Sequence, residues 1–242
     1  MRRPFAAALI LALAACSSKE QDQLFLEEMG QLTKEEILAK GDALAADRER
    51  EEARRYYSFL ADSFPNDPIG RKAALKIADS YFEAKDIESL TEAQLRYKDF
   101  ANRFPNDPNR AYALMQLGKT YSKQRKGPLR DLTPAREAVA ALSQVLELFP
   151  DSESAAEARE LLASCQEDLA QHELEVAKYY ITSKGWQGAY QRLTYLLATY
   201  PDSAAASEAR ALLAKAEATI GSLDGAAAVA TPAPTPDPSQ NR

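Results

Sequence analysis

The chain has 242 residues, 45% hydrophobic and 27% charged, with a net charge of −6. Residues 1–15 carry two arginines and no acid, so the chain without them stands at −8. That balance argues against nucleic acid as a partner, since phosphate binding draws on a basic surface. Two cysteines and one histidine supply neither a disulfide framework nor a metal cluster, and no cofactor is expected.

In chain order, Arg2 and Arg3 precede an apolar run, Phe5 to Ala15, that is too short to span a bilayer. The pair predicts a signal peptide over 1–15. Leu13-Ala14-Ala15-Cys16 resembles the bacterial lipobox, and that resemblance implies lipidation of Cys16 with cleavage before it. A plain signal peptide cut after Ala15 is the alternative. Several acyl chains anchor a protein stably where one does so marginally. Ser17, in place of the Asp associated with inner-membrane retention, points to the outer membrane. Residues 16–32 are expected to be the lipidated Cys and a polar tether, and 33–220 the folded domain.

Four prolines then recur in one setting: Phe64-Pro65-Asn66-Asp67, Phe104-Pro105-Asn106-Asp107, Phe149-Pro150-Asp151-Ser152 and Tyr200-Pro201-Asp202-Ser203. Counting back from each gives one frame: Ala53, Tyr57, Leu60; Ala93, Tyr97, Phe100; Ala138, Leu142, Val145; Ala189, Leu193, Leu196. Offsets of four and seven lie on one helix face. A small Ala lets helices approach, two larger side chains fill the core, and Pro forbids continuation. This is the second half of the tetratricopeptide pattern. Its first half is clearest at Leu114, Leu117, Gly118 and Tyr121, with weaker copies at Ile37, Gly41, Leu44 and at Leu75, Ala78, Phe82. The fold class predicted is all-α, an α-α superhelix of about five helix pairs, the last incomplete.

Helix starts carry their own signals. Thr33 with Glu36 reads as a capping box, and Asp67-Pro68, Asp107-Pro108 and Thr133-Pro134 as caps before a helical Pro. Lys123 to Leu132 is a basic insertion. From about Glu153 to Ser183 the pattern runs unbroken, as one long helix or two with a kink. A last helix is expected over about 204–220. Residues 221–242, rich in Ala, Pro and Thr, are expected to be disordered for want of apolar surface.

Catalytic chemistry is missing from the pattern. There is no phosphate-binding Gly-rich loop, no G-x-S-x-G and no spaced His or Cys cluster. His172, the lone histidine, reads as a surface or packing residue, and Cys165 as a small buried hydrophobe. An enzyme is not expected.

The segments Arg130-Asp131-Leu132-Thr133, Cys165 to Glu173, Val176-Ala177-Lys178-Tyr179-Tyr180, Gly185-Trp186 and Arg192 stand in an order and spacing that resemble the BamD family of outer-membrane protein assembly factors. The resemblance covers about residues 33–215. It implies a tetratricopeptide-type lipoprotein of the β-barrel assembly machinery, on the periplasmic face of the outer membrane. Its implied partners are the membrane-embedded barrel insertase, with its periplasmic domains, and unfolded outer-membrane proteins. It also implies that Arg192 contacts the insertase. The family usually closes its last repeat with a second helix, which here gives way to the Ala/Pro-rich tail. The competing reading is another periplasmic repeat adaptor, for cell division, envelope linking or pilus assembly.

First helices of tetratricopeptide repeats line the concave face. Registering on Leu114-Leu117-Gly118-Tyr121 puts Tyr112, Met115, Lys119 and Ser122 there, and the frame at Leu75 adds Lys76 and Ser80. Lys76, Tyr112, Met115 and Lys119 are therefore the expected client groove, lysines for a carboxylate and the other two for an aromatic ring.

Overall fold

Each Pro-ended segment of the frame is a helix packed on the helix before it, as its alternation of small and large apolar residues demands. The computed structural model describes the backbone of residues 20–230 and the side chains of residues 20–223. Cys16 and the signal peptide lie outside the described residues, as do the last twelve of the chain. The described residues form ten helices and no strands. The fold is all-α and tetratricopeptide-like.

The chain divides into two compact units, one up to Asp107 and one from Pro108. The first holds α1 (20–29), α2 (Lys34–Ala46), α3 (Arg50–Ser63), α4 (Pro68–Ala84) and α5 (Ile87–Arg103). The second holds α6 (Arg110–Lys123), α7 (Thr133–Leu148), α8 (Ala155–Thr182), α9 (Trp186–Thr199) and α10 (Ala205–Ala230). From α2 on, helices consecutive in each unit pack on one another.

The twelve apolar residues of the frame are all core, none more than 2% exposed. Each second helix ends alike. The backbone N–H groups of Phe64, Phe104, Phe149 and Tyr200 donate to the carbonyls of Leu60, Phe100, Val145 and Leu196, and Pro then stops the helix. The small residue of the first helix meets the middle residue of the second. A Cβ on Gly41 would stand 2.6 Å from the Tyr57 ring, and one on Gly118 would stand 2.5 Å from Leu142. Those distances are below van der Waals contact, so a larger residue forces one partner out of place.

Helix starts follow the sequence in part. Thr33 and Glu36 form the capping box, and Asp67 accepts from the Ile69 N–H with Pro68 in the first turn. Asp107 does not cap α6, which begins at Arg110, after Asn109. Its buried carboxylate instead accepts from Arg71 Nε at 2.6 Å, because a buried acid gains more from a guanidinium than from a helix end. Thr133 is also not a cap; Asp131 accepts from its N–H at 2.9 Å. The long unbroken pattern is one helix, α8, of 28 residues, about 42 Å.

Two ends differ from expectation. Within the predicted tether, residues 20–29 are helical. Met29 is buried, and Phe25 packs edge-on against Tyr56 at 5.2 Å and Phe59 at 6.2 Å. Two acids of α1 are paired across to other helices: Asp22 with Arg55 at 2.8 Å, and Glu28 with Lys40. Composition alone hides this, since only two side chains of the segment face the core. At the other end α10 continues to Ala230, ten residues into the stretch expected to be irregular. Its Ala-rich run is a good helix former.

Candidate functional site

The first and fourth repeats share one local geometry. Twelve residues separate Gly41 from Ala53, and Ala177 from Ala189. Their turns place Arg48 and Lys184 in the left-handed region, φ 68° and 60°. In the first turn the N–H groups of Asp47, Arg48 and Glu49 donate to Ala43, Ala45 and Leu44; in the fourth those of Ser183, Lys184 and Gly185 donate to Tyr179, Ile181 and Tyr180. The registers therefore match residue for residue. Ile37 corresponds to Glu173, Tyr56 to Arg192 and Phe59 to Tyr195.

That match exposes an anomaly. Ile37 is a core residue of the first repeat, and Glu173 occupies the same register of the fourth, only 8% exposed. A buried carboxylate is costly unless paired. Arg192 of α9 supplies the pair, Nη1 donating to Glu173 Oε2 at 3.0 Å. The Arg192 side chain remains 46% exposed, so Glu173 holds the inner edge of a guanidinium whose outer face meets solvent. One turn along α9, Tyr195 is half exposed and stands edge-on to Tyr200, centroids 6.3 Å apart. Burial, then the neighbouring Tyr195, pushes the Tyr200 phenol up to about 12, so it stays neutral at any physiological pH.

In the first repeat the corresponding surface is covered. Phe25 of α1 lies on Tyr56 and Phe59, and the Tyr56 hydroxyl donates to Glu28 at 3.3 Å. In the fourth repeat Arg192 and Tyr195 stand uncovered among the described residues.

The basic insertion borders this region. Residues 124–132 are tied to α8 by Arg125, which donates to the Ser164 carbonyl at 2.9 Å and to Asp168 at 2.8 Å. The imidazole of His172 engages the Pro128 carbonyl through Nδ1 at 2.7 Å, which makes Nδ1 the protonated nitrogen. His172 is thus a packing residue. Cys165 is buried, and burial pushes its thiol up, which disfavours the reactive thiolate.

The expected client residues fall in different settings. Lys76 is in the first unit, on α4, and pairs with Asp42 at 2.9 Å. In the second unit, Tyr112, Met115 and Lys119 share α6. Lys119 pairs with Glu157 at 2.5 Å and Tyr112 is half-buried. Met115 is a core residue, 2% exposed, and leaves no face for an aromatic ring. Ser80 is buried too, bonded to the Ile77 carbonyl. Lys76, Tyr112, Lys119 and Ser122 are half-buried, whereas Met115 and Ser80 turn into the core. A cleft of about 550 Å³ between α3, α4 and α5 carries Arg71, Arg96 and Arg103. Each of these pairs with a carboxylate: Asp107, Glu92 and Asp99.

The sequence reading missed Glu173 as a partner of Arg192. The signal was present, because the twelve-residue spacing aligns Glu173 with Ile37, a charge in an aliphatic register.

A family model described as "Outer membrane lipoprotein" matches residues 31–231, most of the chain. The chain belongs to this outer-membrane lipoprotein family. The outer membrane protein assembly factor BamD of Haemophilus influenzae is 27% identical over 226 residues, 88% of this chain and 83% of that protein. The factors of the same name from Xylella fastidiosa and Vibrio cholerae are 35% and 30% identical over shorter stretches. Those stretches cover 38% of this chain and 32% of the first protein, and 39% of both for the second. The match to the lipoprotein family spans both units and includes the Glu173–Arg192 pair. Among the described residues no helix is long and apolar enough to cross a membrane.

Proposed function

We propose that this family member is a scaffold of the β-barrel assembly machinery, lipid-anchored at Cys16 to the periplasmic face of the outer membrane, and not an enzyme. Its partners are the barrel insertase, through periplasmic domains, and unfolded outer-membrane proteins. The observation that carries the reading is the uncovered Arg192–Tyr195 surface, whose counterpart in the first repeat is covered by α1. Arg and Tyr are the residue types on which binding energy concentrates, and a guanidinium suits a carboxylate on the partner. The covering helix of the first repeat supports a partner segment with an apolar side chain and an acid one turn away, as Phe25 and Glu28 provide for Tyr56 and Phe59.

Client segments are proposed to meet the first helices, with Lys76 serving the first unit and Tyr112 and Lys119 the second. Here the lysines must exchange Asp42 and Glu157 for a client carboxylate, a substitution of one surface ion pair for another. Photocrosslinkers at positions 76, 112 and 119 should capture a C-terminal barrel peptide over its scrambled version; equal capture removes this part.

Co-purification from membranes in mild detergent tests the rest. The unmodified chain should bring down a large β-barrel protein with periplasmic repeats. Cys16→Ser should leave the membrane fraction or remain unprocessed. Arg192→Glu sets a second carboxylate against Glu173, so it is compared with Arg192→Gln, which keeps a donor for that acid. Arg192→Gln should stay membrane-bound and folded, and both should lose the barrel protein by about tenfold or more, the scale of a desolvated charge pair. Undiminished recovery with Arg192→Glu at raised salt would count against the assignment.

A further inference from the structure

An aliphatic residue at position 173 would complete the core of the fourth repeat as Ile37 completes that of the first. Apolar replacements of buried ion pairs often leave a protein as stable or more so. A carboxylate in this register therefore needs a reason other than stability. Departures from the local packing rule concentrate at functional positions. The recorded bond supplies the reason: Glu173 Oε2 takes Arg192 Nη1 at 3.0 Å, and Nε and Nη2 are not engaged by any other described residue. An arginine on a helix surface samples many rotamers, and fixing one edge of its planar fork directs the rest. Leu169 and Ala177, each one turn away along α8, and the adjoining Leu174 are buried, so Glu173 stands within the core stripe of the helix.

We propose that Glu173 is a positioning residue, a buried carboxylate set in an otherwise aliphatic register to hold the Arg192 guanidinium ready for a carboxylate of the partner. The proposal rests on the reading of Arg192 as a partner contact. Glu173 itself touches no partner; it acts through Arg192 by removing the ordering cost that a free arginine carries into an interface. The same arrangement makes the guanidinium bridge two acids, one internal and one external. Neutralising the internal acid should therefore loosen the external contact, although it leaves the positive charge in place.

The test uses the full processed chain in detergent and the purified periplasmic domains of the insertase. Dissociation constants and melting temperatures are measured for Glu173→Leu, Glu173→Gln, Arg192→Ala and the double variant Glu173→Leu/Arg192→Ala. Glu173→Leu is expected to bind about fivefold more weakly while its melting temperature holds or rises. Glu173→Gln retains an acceptor for Nη1 and should lose only about twofold. In the Arg192→Ala background Glu173→Leu should add no further loss, the signature of residues acting as one unit. A purely structural Glu173 would instead move stability and binding in the same direction. If Arg192→Ala weakens binding but Glu173→Leu does not, the positioning role falls and the contact stands. Losses that simply add overturn it as well. If Arg192→Ala binds normally, both the contact and the positioning role fall. Should Glu173→Leu fail to fold, Glu173→Gln decides alone, with unchanged binding overturning the proposal.

Discussion

The first and fourth repeats share their turn, their spacing and their left-handed lysine or arginine, yet their second helices face different neighbours. In the first repeat Tyr56 and Phe59 are sealed by Phe25 of α1, and Ile37 is aliphatic core beneath them. In the fourth, Arg192 and Tyr195 lie open and Glu173 replaces the aliphatic residue. The segment N-terminal to the first repeat leaves the helix line at residues 30–33 and folds back as α1; its counterpart in the fourth repeat continues as the front of α8. One backbone framework thus yields a closed surface and an open one, the difference resting on whether the preceding segment breaks. The four residues at 30–33 and the Thr33–Glu36 capping box make that break, by giving α2 its own start.

Removing the seal should show the largest effect. Phe25 is half-buried, with two rings and the Arg55 guanidinium against it, the last at 4.3 Å. Phe25→Ala should cost about 2 kcal/mol, below the about 3–5 of a fully buried Phe. Protease should then cut within 20–33 well before the domain unfolds, seen as a truncated fragment on a gel. Resistance equal to the parent would mean that α1 is held by its ion pairs instead, and the contrast between the two repeats would lose its basis.

A swap of core pairs comes next. Gly41 lies against Tyr57, while the fourth repeat has Ala177 against Leu193. A methyl on Gly41 drives into the ring, a clash of about 1–3 kcal/mol, partly offset by about 0.5–1 kcal/mol from the better helix former. Gly41→Ala should therefore lose about 1–2 kcal/mol by denaturant melts. Adding Tyr57→Leu, which copies the fourth-repeat pair, relieves the clash but gives up the hydroxyl's bond to Asp42, so the double variant should lose less than the sum of the two single changes. Plain additivity of the two changes would show that the repeats are not equivalent at this contact.

How far the sequence could be read follows from the range of the interactions. The Pro-ended frame is local, and Ala53 through Leu196 fell where the spacing put them, because a helix face is a property of a few turns. Asp107 and Thr133 looked like caps but were not, since Arg71 and Asp131 compete for the same groups. Helix α1 was hidden because Phe25 and Met29 are its few core-facing residues and its acids pair only in three dimensions. Arg192 came from a resemblance and could be placed by spacing; Glu173 became visible as its partner only once α8 and α9 were side by side. Met115 failed as a groove residue because α6 packs on both α7 and α8 and has no fully exposed position between Ala111 and Ser122, so a face expected to be open holds core as well.

The smallest effect concerns the polar tip that the first repeat has and the fourth lacks. The Tyr57 hydroxyl donates to Asp42 at 2.7 Å, and Asp42 also holds Lys76. In the fourth repeat the same places are taken by Leu193 and Lys178, and Lys178 pairs instead with Glu208 at 2.9 Å. Tyr57→Phe removes one hydrogen bond and leaves Asp42 its lysine, so at pH 7 it should cost about 1 kcal/mol. Its clearer signature lies in alkali. Burial, then the bond to Asp42, raises the Tyr57 phenol well above its ordinary value near 10. In the unfolded chain that phenol ionises from about pH 10 upward, while in the fold it stays neutral. Unfolding therefore releases a proton above pH 10, and raising the pH favours it. The contribution of Tyr57 is fully present below pH 10 and is lost as the pH climbs toward its folded value. Stability of the parent should fall as the pH rises from 10 to 11.5, and Tyr57→Phe should fall less steeply over the same window. Tyr200, raised for a similar reason, keeps part of the slope in both proteins. Parallel slopes for parent and variant in denaturant titrations would mean that Tyr57 ionises in the fold as it does in water, and that its pairing with Asp42 does not set the first repeat apart from the fourth.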